Sequence, residues 1–307
     1  MKHGKVPFIL SFLALPVGLY TWLVLMPFAQ AFQISLTDWS GTSNKFNYIG
    51  FENFVELFQD DVFVLPGLKN TGIILLVMPV LTIALALFFA FMLNVGGQSK
   101  GGRIRGVRGA SFYKIVYFFP QVLSLAIIAI LWKQMYAPAN FGGMLASALK
   151  FVGITPPVNG FLAREDFVLW CVIAVMVWSA VGFYLVFFSS AMASIPTEIY
   201  EAALIDGASR VTTFFRVTLP LLWESVQTAW VYLGIIALDA FALVYIMTPE
   251  QGGPNHASEV IGGVVYRYSF SFQERGMGAA IGVVLFFATL IMAVVSLRVT
   301  RRDRVEY

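Results

Sequence analysis

Six long apolar runs, at residues 8–32, 71–95, 112–132, 167–192, 221–247 and 278–299, constrain this chain more than any other feature. A helix rises about 1.5 Å per residue, so roughly 20 apolar residues cross the hydrocarbon core of a bilayer. Composition suits that solvent: 59% of the 307 residues are hydrophobic and only 12% are charged. A soluble domain carries about 25% charge, and half of that leaves too little polar surface to cover a globule of this size. The expectation is an all-α membrane protein with six transmembrane helices, forming a single transmembrane domain over 1–307 with core spans at about 71–299. Pro16, Pro27, Pro79 and Pro120 fall inside runs. There they mark kinks, tolerated where neighbouring helices or water satisfy the freed carbonyl. The first run follows Lys2 and Lys5 but is too long for a signal-peptide core and lacks a clear cleavage site, so it reads as an uncleaved span.

Orientation follows from the basic residues. Thirteen of the twenty Lys and Arg residues belong to one set of segments: Lys2 and Lys5, the cluster from Lys100 to Lys114, Arg210 and Arg216, and Arg298 to Arg304. The other set holds seven. The positive-inside rule then places both termini and the 194–220 connector in the cytoplasm, and an even number of spans agrees with that. On the other side, 35–66 alternates acidic and aromatic residues and predicts a short amphipathic helix at the membrane surface. The loops 134–166 and 248–277 are longer than turns need to be, and loops of that length usually line or dock something.

The chain offers little for covalent chemistry. Cys171 is the only cysteine, so no intrachain disulfide and no cysteine metal cluster can form; inside an apolar run it reads as a small packing residue. His3 and His256 are isolated, without metal-ligand spacing, so no catalytic residue and no metal site is expected. A membrane enzyme would need clustered His, Asp or Glu at a membrane face. No polybasic tail points to nucleic acid. An ion-gradient-driven transporter or channel would need an intramembrane charge relay or a repeated pair of discontinuous helices, and Asp239 stands nearly alone.

The connector between the fourth and fifth runs is the most informative segment. Thr197 is a candidate N-cap, with Glu198 and Glu201 in the first turns, where carboxylates suit the helix dipole. Gly207 permits a turn that a side chain would obstruct. A second helical stretch over 209–217 carries Phe214 and Phe215 beside Arg210 and Arg216, and Leu219-Pro220 leads into the fifth run. The product is a helix–turn–helix with an acidic first half and a basic, aromatic second half. Read alone, Glu201 is either a docking carboxylate or a solvated one, and Gly207 either a coupling turn or an ordinary C-cap.

The spaced pattern Glu201-Ala202-Ala203, Gly207, then Val217-Thr218-Leu219-Pro220 resembles the EAA loop of bacterial ABC-importer permeases, with Val217 standing where that family usually has isoleucine. Asn53-Phe54, Asn70-Thr71, Phe119-Pro120 through Trp132, and Thr248 with Gly252-Gly253-Pro254 resemble the MalF/UgpA-like, binding-protein-dependent sugar branch, and the resemblance extends from about residue 8 to the C-terminus. It implies a permease subunit in the bacterial plasma membrane, with Glu201, Ala202, Ala203, Asp206, Gly207, Leu219 and Pro220 coupling it to an ATPase. It also implies a second permease subunit, two cytoplasmic nucleotide-binding subunits, an extracytoplasmic solute-binding protein and a sugar substrate, all within membrane lipid. The chain has no G-x-x-x-x-G-K-[ST] loop, and its glycine-rich stretch at 96–102 has the wrong spacing. ATP and Mg therefore belong on the partner ATPase, and this chain is not itself an enzyme.

For the solute path, Trp178, Tyr184, Gln227, Tyr232 and Tyr245 supply aromatic faces and hydrogen-bonding tips of the kind that hold sugars, although aromatics in spans also serve packing and interface belts. Asp239 is a functional candidate or a structural carboxylate near the outer leaflet, and Glu224 reads as a snorkelling end residue. Asp239–Tyr245 with the Gly-Gly-Pro loop and the 210–223 segment most resembles permeases for N-acetylglucosamine or its disaccharide. Glycerol phosphate and plain oligosaccharides are the alternatives.

Overall fold

The computed structural model of the chain describes residues 5–43, 45–95 and 106–299. Lys2, His3, the glycine-rich stretch at 96–102 with Lys100, Arg103 and Arg105, and Arg301, Arg302 and Arg304 lie outside the described residues. The described chain is helical throughout, with one isolated antiparallel bridge between Thr37 and Tyr48 and no strand among those residues. In order, the helices are α1 (Ile9–Ile34), α2 (Glu52–Leu57), α3 (Lys69–Val95), α4 (Ala110–Val122), α5 (Leu125–Met135), α6 (Met144–Phe151) and α7 (Glu165–Ala193). There follow α8 (Thr197–Ile205), α9 (Arg210–Leu221), α10 (Trp223–Leu238), α11 (Phe241–Met247), α12 (Ile261–Tyr266) and α13 (Arg275–Val299).

Four continuous helical segments are long and apolar enough to cross a membrane: Ile9–Ile34, Phe63–Val95, Glu165–Ala193 and Arg275–Arg298. Two bent pairs make six if each is one crossing. The expected third span is one of these pairs. Its halves α4 and α5 meet at 98°, because the chain leaves the helix just after Pro120. Leu123 and Ser124 are extended, and the Ser124 side chain then caps α5 by accepting from the Ile127 N–H. Neither half alone reaches the roughly 20 residues that a crossing needs. The expected fifth span is broken twice, at Leu222, where α9 and α10 meet at 72°, and at Asp239 between α10 and α11.

The described chain divides into two compact units. The first unit comprises residues 1–64 and 264–287. Its α1 carries no buried residue in its most apolar stretch, although Phe28 and Phe32 meet Phe286 edgewise or tilted, at 5.3 and 6.0 Å between ring centroids. The expected amphipathic helix is α2, six residues long, with Asn53 and Leu57 on its buried face. Asn53 Nδ2 donates to the carbonyls of Ser35 (2.8 Å) and Thr37 (2.9 Å), which closes the loop after α1. Asp38 accepts from the backbone N–H (2.6 Å) and side chain (2.9 Å) of Asn47, and these donors hold its carboxyl below the usual carboxylate range. Burial, reinforced by a 2.6 Å hydrogen bond donated to Asp60, pushes the Tyr268 hydroxyl above the usual phenol range.

The second unit holds residues 65–263 and 288–307. Its centre is α7, which packs along α3 and α4, while α10 lies against α3 and α11 against α5. Apolar residues surround α7 rather than forming one stripe: Val168, Val172, Ile173, Leu185 and Phe188 are all buried, as is Cys171. A helix apolar all round is what a buried bundle centre or a membrane span requires. A side chain at position 182 would run into the backbone of Tyr117, so Gly182 lets α4 press directly on α7.

Candidate coupling site

The EAA-like segment folds as two helices around one turn. Pro196 rather than Thr197 occupies the cap position of α8 and makes no side-chain cap; its carbonyl accepts from the Ile199 N–H, and Thr197 is the first helical residue. At the other end, the Gly207 N–H donates to the Leu204 carbonyl (3.0 Å) and the Ala208 N–H to the Ala203 carbonyl (2.9 Å). This paired pattern is a Schellman cap, and it places the third residue of the Glu-Ala-Ala pattern under the turn that Gly207 makes. Gly207 has φ +73, and the space around a Cβ there is open. The glycine is thus needed for its backbone angle and not for room.

Ser209 then caps α9, its hydroxyl accepting from the Thr212 N–H at 3.2 Å. The second helix extends beyond the expected 209–217 to Leu221, widening to a π-helix at Phe214–Thr218. Pro220 lies in its last turn. A proline in a regular helix would crowd the carbonyl four residues back, and the wider π-turn immediately before it relieves that contact. Thr218 is fully buried and its hydroxyl donates to that of Tyr200 at 3.5 Å, which ties the end of the pattern to its beginning.

The knob presents an asymmetric surface. Ala203 and Tyr200 are buried, Glu201 is half-buried, and Ala202 and Asp206 are exposed. Ile205 is 87% exposed, an apolar side chain held out at the tip. On its other side, Phe214 meets Phe91 of α3 edge to face, 5.0 Å between ring centroids. The knob therefore joins an exposed tip to the end of a long span through an aromatic contact, and the 72° bend at Leu222 turns it across the axis of α10.

The opposite end of α3 holds a second constellation. Asn70 Nδ2 donates to the carbonyls of Ala257 (3.1 Å) and Glu259 (3.0 Å), and Thr71 Oγ1 accepts from the Ile261 N–H at 3.1 Å. Asn255 reaches Glu165 at the start of α7, at 2.5 Å. Within the loop Glu250, Gln251, Asn255 and His256 all have φ between 49 and 62, left-handed values for residues that are not glycine. The Glu259 side chain is fully buried; its carboxylate lies 3.4 Å from His256 Nδ1 and 3.3 Å from the Val260 N–H. Gly252 and Gly263 line it so closely that a Cβ on either would strike the carboxylate. Thus Asn70-Thr71 and Gly252-Gly253-Pro254, far apart in sequence, are two sides of one knot. Glu259 itself is not evident from the sequence; its only signals are a histidine three residues before and glycines nearby. No group of three or more metal-ligating side chains occurs among the described residues.

The solute-path candidates do not form one cluster. Tyr184 is buried and close enough to Tyr232 to interact with it electrostatically. Gln227 Nε2 is buried without a hydrogen-bond partner among the described residues. Trp178 points elsewhere, edge to face with Trp132 at 5.3 Å, along a groove bounded by α3, α4 and α7. Tyr245 meets Phe241 with the rings tilted, 5.2 Å between centroids, and Asp239 is exposed at the break between α10 and α11.

Broken apolar helices, a capped helix–turn–helix standing across one of them and a loop knot at the opposite end define a multi-pass transport subunit that works with partners. The chain belongs to the family of binding-protein-dependent transport system inner membrane components, the ABC-importer permeases, which it matches over residues 67–304. It is similar to the diacetylchitobiose uptake system permease protein NgcF of Streptomyces coelicolor, 42% identical over 98% of this chain and 84% of that protein. The multiple sugar-binding transport system permease protein MsmF of Streptococcus mutans is 29% identical over 96% of each chain. Among solved structures, a chain of a bacterial ABC transporter involved in alginate import shares the fold, with a TM-score of 0.80 at 21% identity over 99% of both chains.

Proposed function

We propose that this permease imports a mono- or oligosaccharide built on N-acetylglucosamine, and that α8 and α9 transmit the work of a partner ATPase to its spans. The observation that carries the coupling role is the Schellman-capped knob with Ile205 at its tip and Phe214 against α3. Such a unit moves as one body, because each end of its turn is satisfied internally. Glu201, Ala202, Ala203, Asp206 and Gly207 form the docking half, and Leu219 and Pro220 the half that leads into α10. ATP and Mg act on two nucleotide-binding subunits on the cytoplasmic side, the side for which the excess of basic residues argues in the case of this knob and both termini. A second permease subunit completes the pore, and an extracytoplasmic binding protein delivers the sugar at the opposite face.

The sugar class is supported by the 42% identity to a diacetylchitobiose uptake permease and by the hydroxyl- and amide-bearing residues Tyr184, Gln227 and Tyr232. Trp178, Asp239 and Tyr245 are the remaining candidates for contact with the sugar. The test is to reconstitute the chain with its permease partner, ATPase and binding protein, and to measure ATP hydrolysis over a panel of sugars. Diacetylchitobiose and N-acetylglucosamine should stimulate hydrolysis, while glycerol phosphate and a plain oligosaccharide should not. Transport by this chain alone, driven by a proton or sodium gradient, would overturn the reading.

A further inference from the structure

A groove of 580 Å³ runs between α3, α9 and α10. Its walls are apolar, formed chiefly by Val80, Phe88, Phe91, Phe215 and Trp230, and its one charged lining residue is Arg210. The groove follows α3 from Val80 to Met92, which is about 18 Å at about 1.5 Å per residue. Val80 sits near the middle of the Phe63–Val95 span and Met92 near its end. The groove therefore covers one leaflet, whose hydrocarbon depth is about 15 Å. Arg210 opens α9, which meets Phe91 at the span's end, so its charge stands at the level of the headgroups.

We propose that this groove is a phospholipid site selective for an anionic headgroup. One acyl chain lies along α3 between Phe88 and Trp230, and the lipid phosphate meets the Arg210 guanidinium, whose planar fork suits phosphate oxygens. The lining argues against a helix of another subunit as the occupant. Helices that pair within membranes favour small residues at the contact, whereas this groove is lined with five large aromatic side chains and a single small one, Ala84. A flexible chain fills the gaps between such rings, and a rigid helix does not. Because α9 forms one wall, the bound lipid becomes part of the surface on which the knob moves. The site thereby makes the knob sensitive to membrane composition, independently of the transported sugar.

The test uses the assembled transporter in nanodiscs, with photoactivatable phosphatidylglycerol or phosphatidylcholine carrying the reactive group on the acyl chain. Mass spectrometry then maps the labelled residues. Wild type should label at Phe88 and Val211 about fivefold more strongly with phosphatidylglycerol, the preference expected from one cation at an anionic surface. Arg210→Gln should abolish that preference while leaving the phosphatidylcholine label, and Ala84→Trp should remove both labels by filling the groove. Equal labelling of wild type by the two lipids means ordinary boundary lipid and overturns the proposal without any variant. Absence of label, with Ala84→Trp dissociating the permease pair on size exclusion, would assign the groove to a partner helix instead.

Discussion

Phe91 and Phe214 meet edge to face, 5.0 Å between ring centroids and 67° between planes, and so join the long span α3 to the second half of the knob. Such a pair contributes about 0.5–1.5 kcal/mol beyond its buried area. That is small against the stability of the whole bundle, yet enough to set how firmly the knob and the span move together. In Phe214→Ala the transporter should assemble normally and still hydrolyse ATP, but transport less sugar per ATP. The ratio of transport to hydrolysis in proteoliposomes measures this. An unchanged ratio would remove the pair from the coupling route.

Gly207 offers a graded test of the turn. At φ +73 with open space around it, the cost of a side chain is backbone strain alone, about 1–2 kcal/mol for most residues and less for Asn, which visits the left-handed region. Coupled ATPase activity should therefore fall in the order Gly, Asn, Ala, Val, with membrane insertion unchanged in all four. Equal activity for Asn and Val would show that the angle is not what matters.

Asn70→Leu keeps the branched heavy-atom skeleton but removes both donors, leaving the carbonyls of Ala257 and Glu259 without this partner. An orphaned buried acceptor costs about 1–3 kcal/mol. The 252–261 segment should exchange amide hydrogens about 5- to 150-fold faster, read by mass spectrometry of the intact complex, while exchange in α8 stays the same. Gly263→Ala should loosen the same segment, because its Cβ would displace the buried Glu259 carboxylate.

The Asp38–Asn47 clasp sets a pH dependence in the loop after α1. Its folded carboxyl titrates below the ordinary value of 3.8. The clasp therefore stabilises the loop above that value and loses its contribution as pH falls through the lower, folded one. Amide protection in 36–49, taken relative to the intrinsic exchange rate at each pH, should fall on acidification below about pH 4, as the carboxyl protonates. Asp38→Asn should show low protection already at neutral pH and no such step.

Much of this arrangement is legible in the order of the residues. The apolar runs reveal the spans because the bilayer sets a length that few other environments demand. Gly207 reveals the turn because it follows the helix-forming stretch Glu201-Ala202-Ala203-Leu204 and precedes Ser209, a good capping residue for the next helix. The breaks are harder to see. Leu123 and Asp239 sit inside apolar runs, and hydropathy averaged over twenty residues passes straight across them. Thr197 misleads because it is a good capping residue, while Pro196 before it fixes the geometry through its own carbonyl. The knot at Glu259 is hidden for a different cause. A carboxylate between a glycine-rich loop and an apolar run looks like a solvated rim residue until the fold brings Asn70, Gly252 and Gly263 around it.

The knot also carries a sense of time. Asn70 is synthesised 187 residues before Ala257 and 189 before Glu259. At about 5–20 residues per second, its partners arrive roughly 10–40 s after it. Throughout that interval α3 is made but the Asn70 amide has nothing of this loop to hold. Closure of the knot therefore waits for the loop after α11 to be synthesised, and a chain stalled before residue 257 lacks the clasp entirely. With Cys171 as the only cysteine, no disulfide can substitute, so the last loop to arrive secures one of the first spans made.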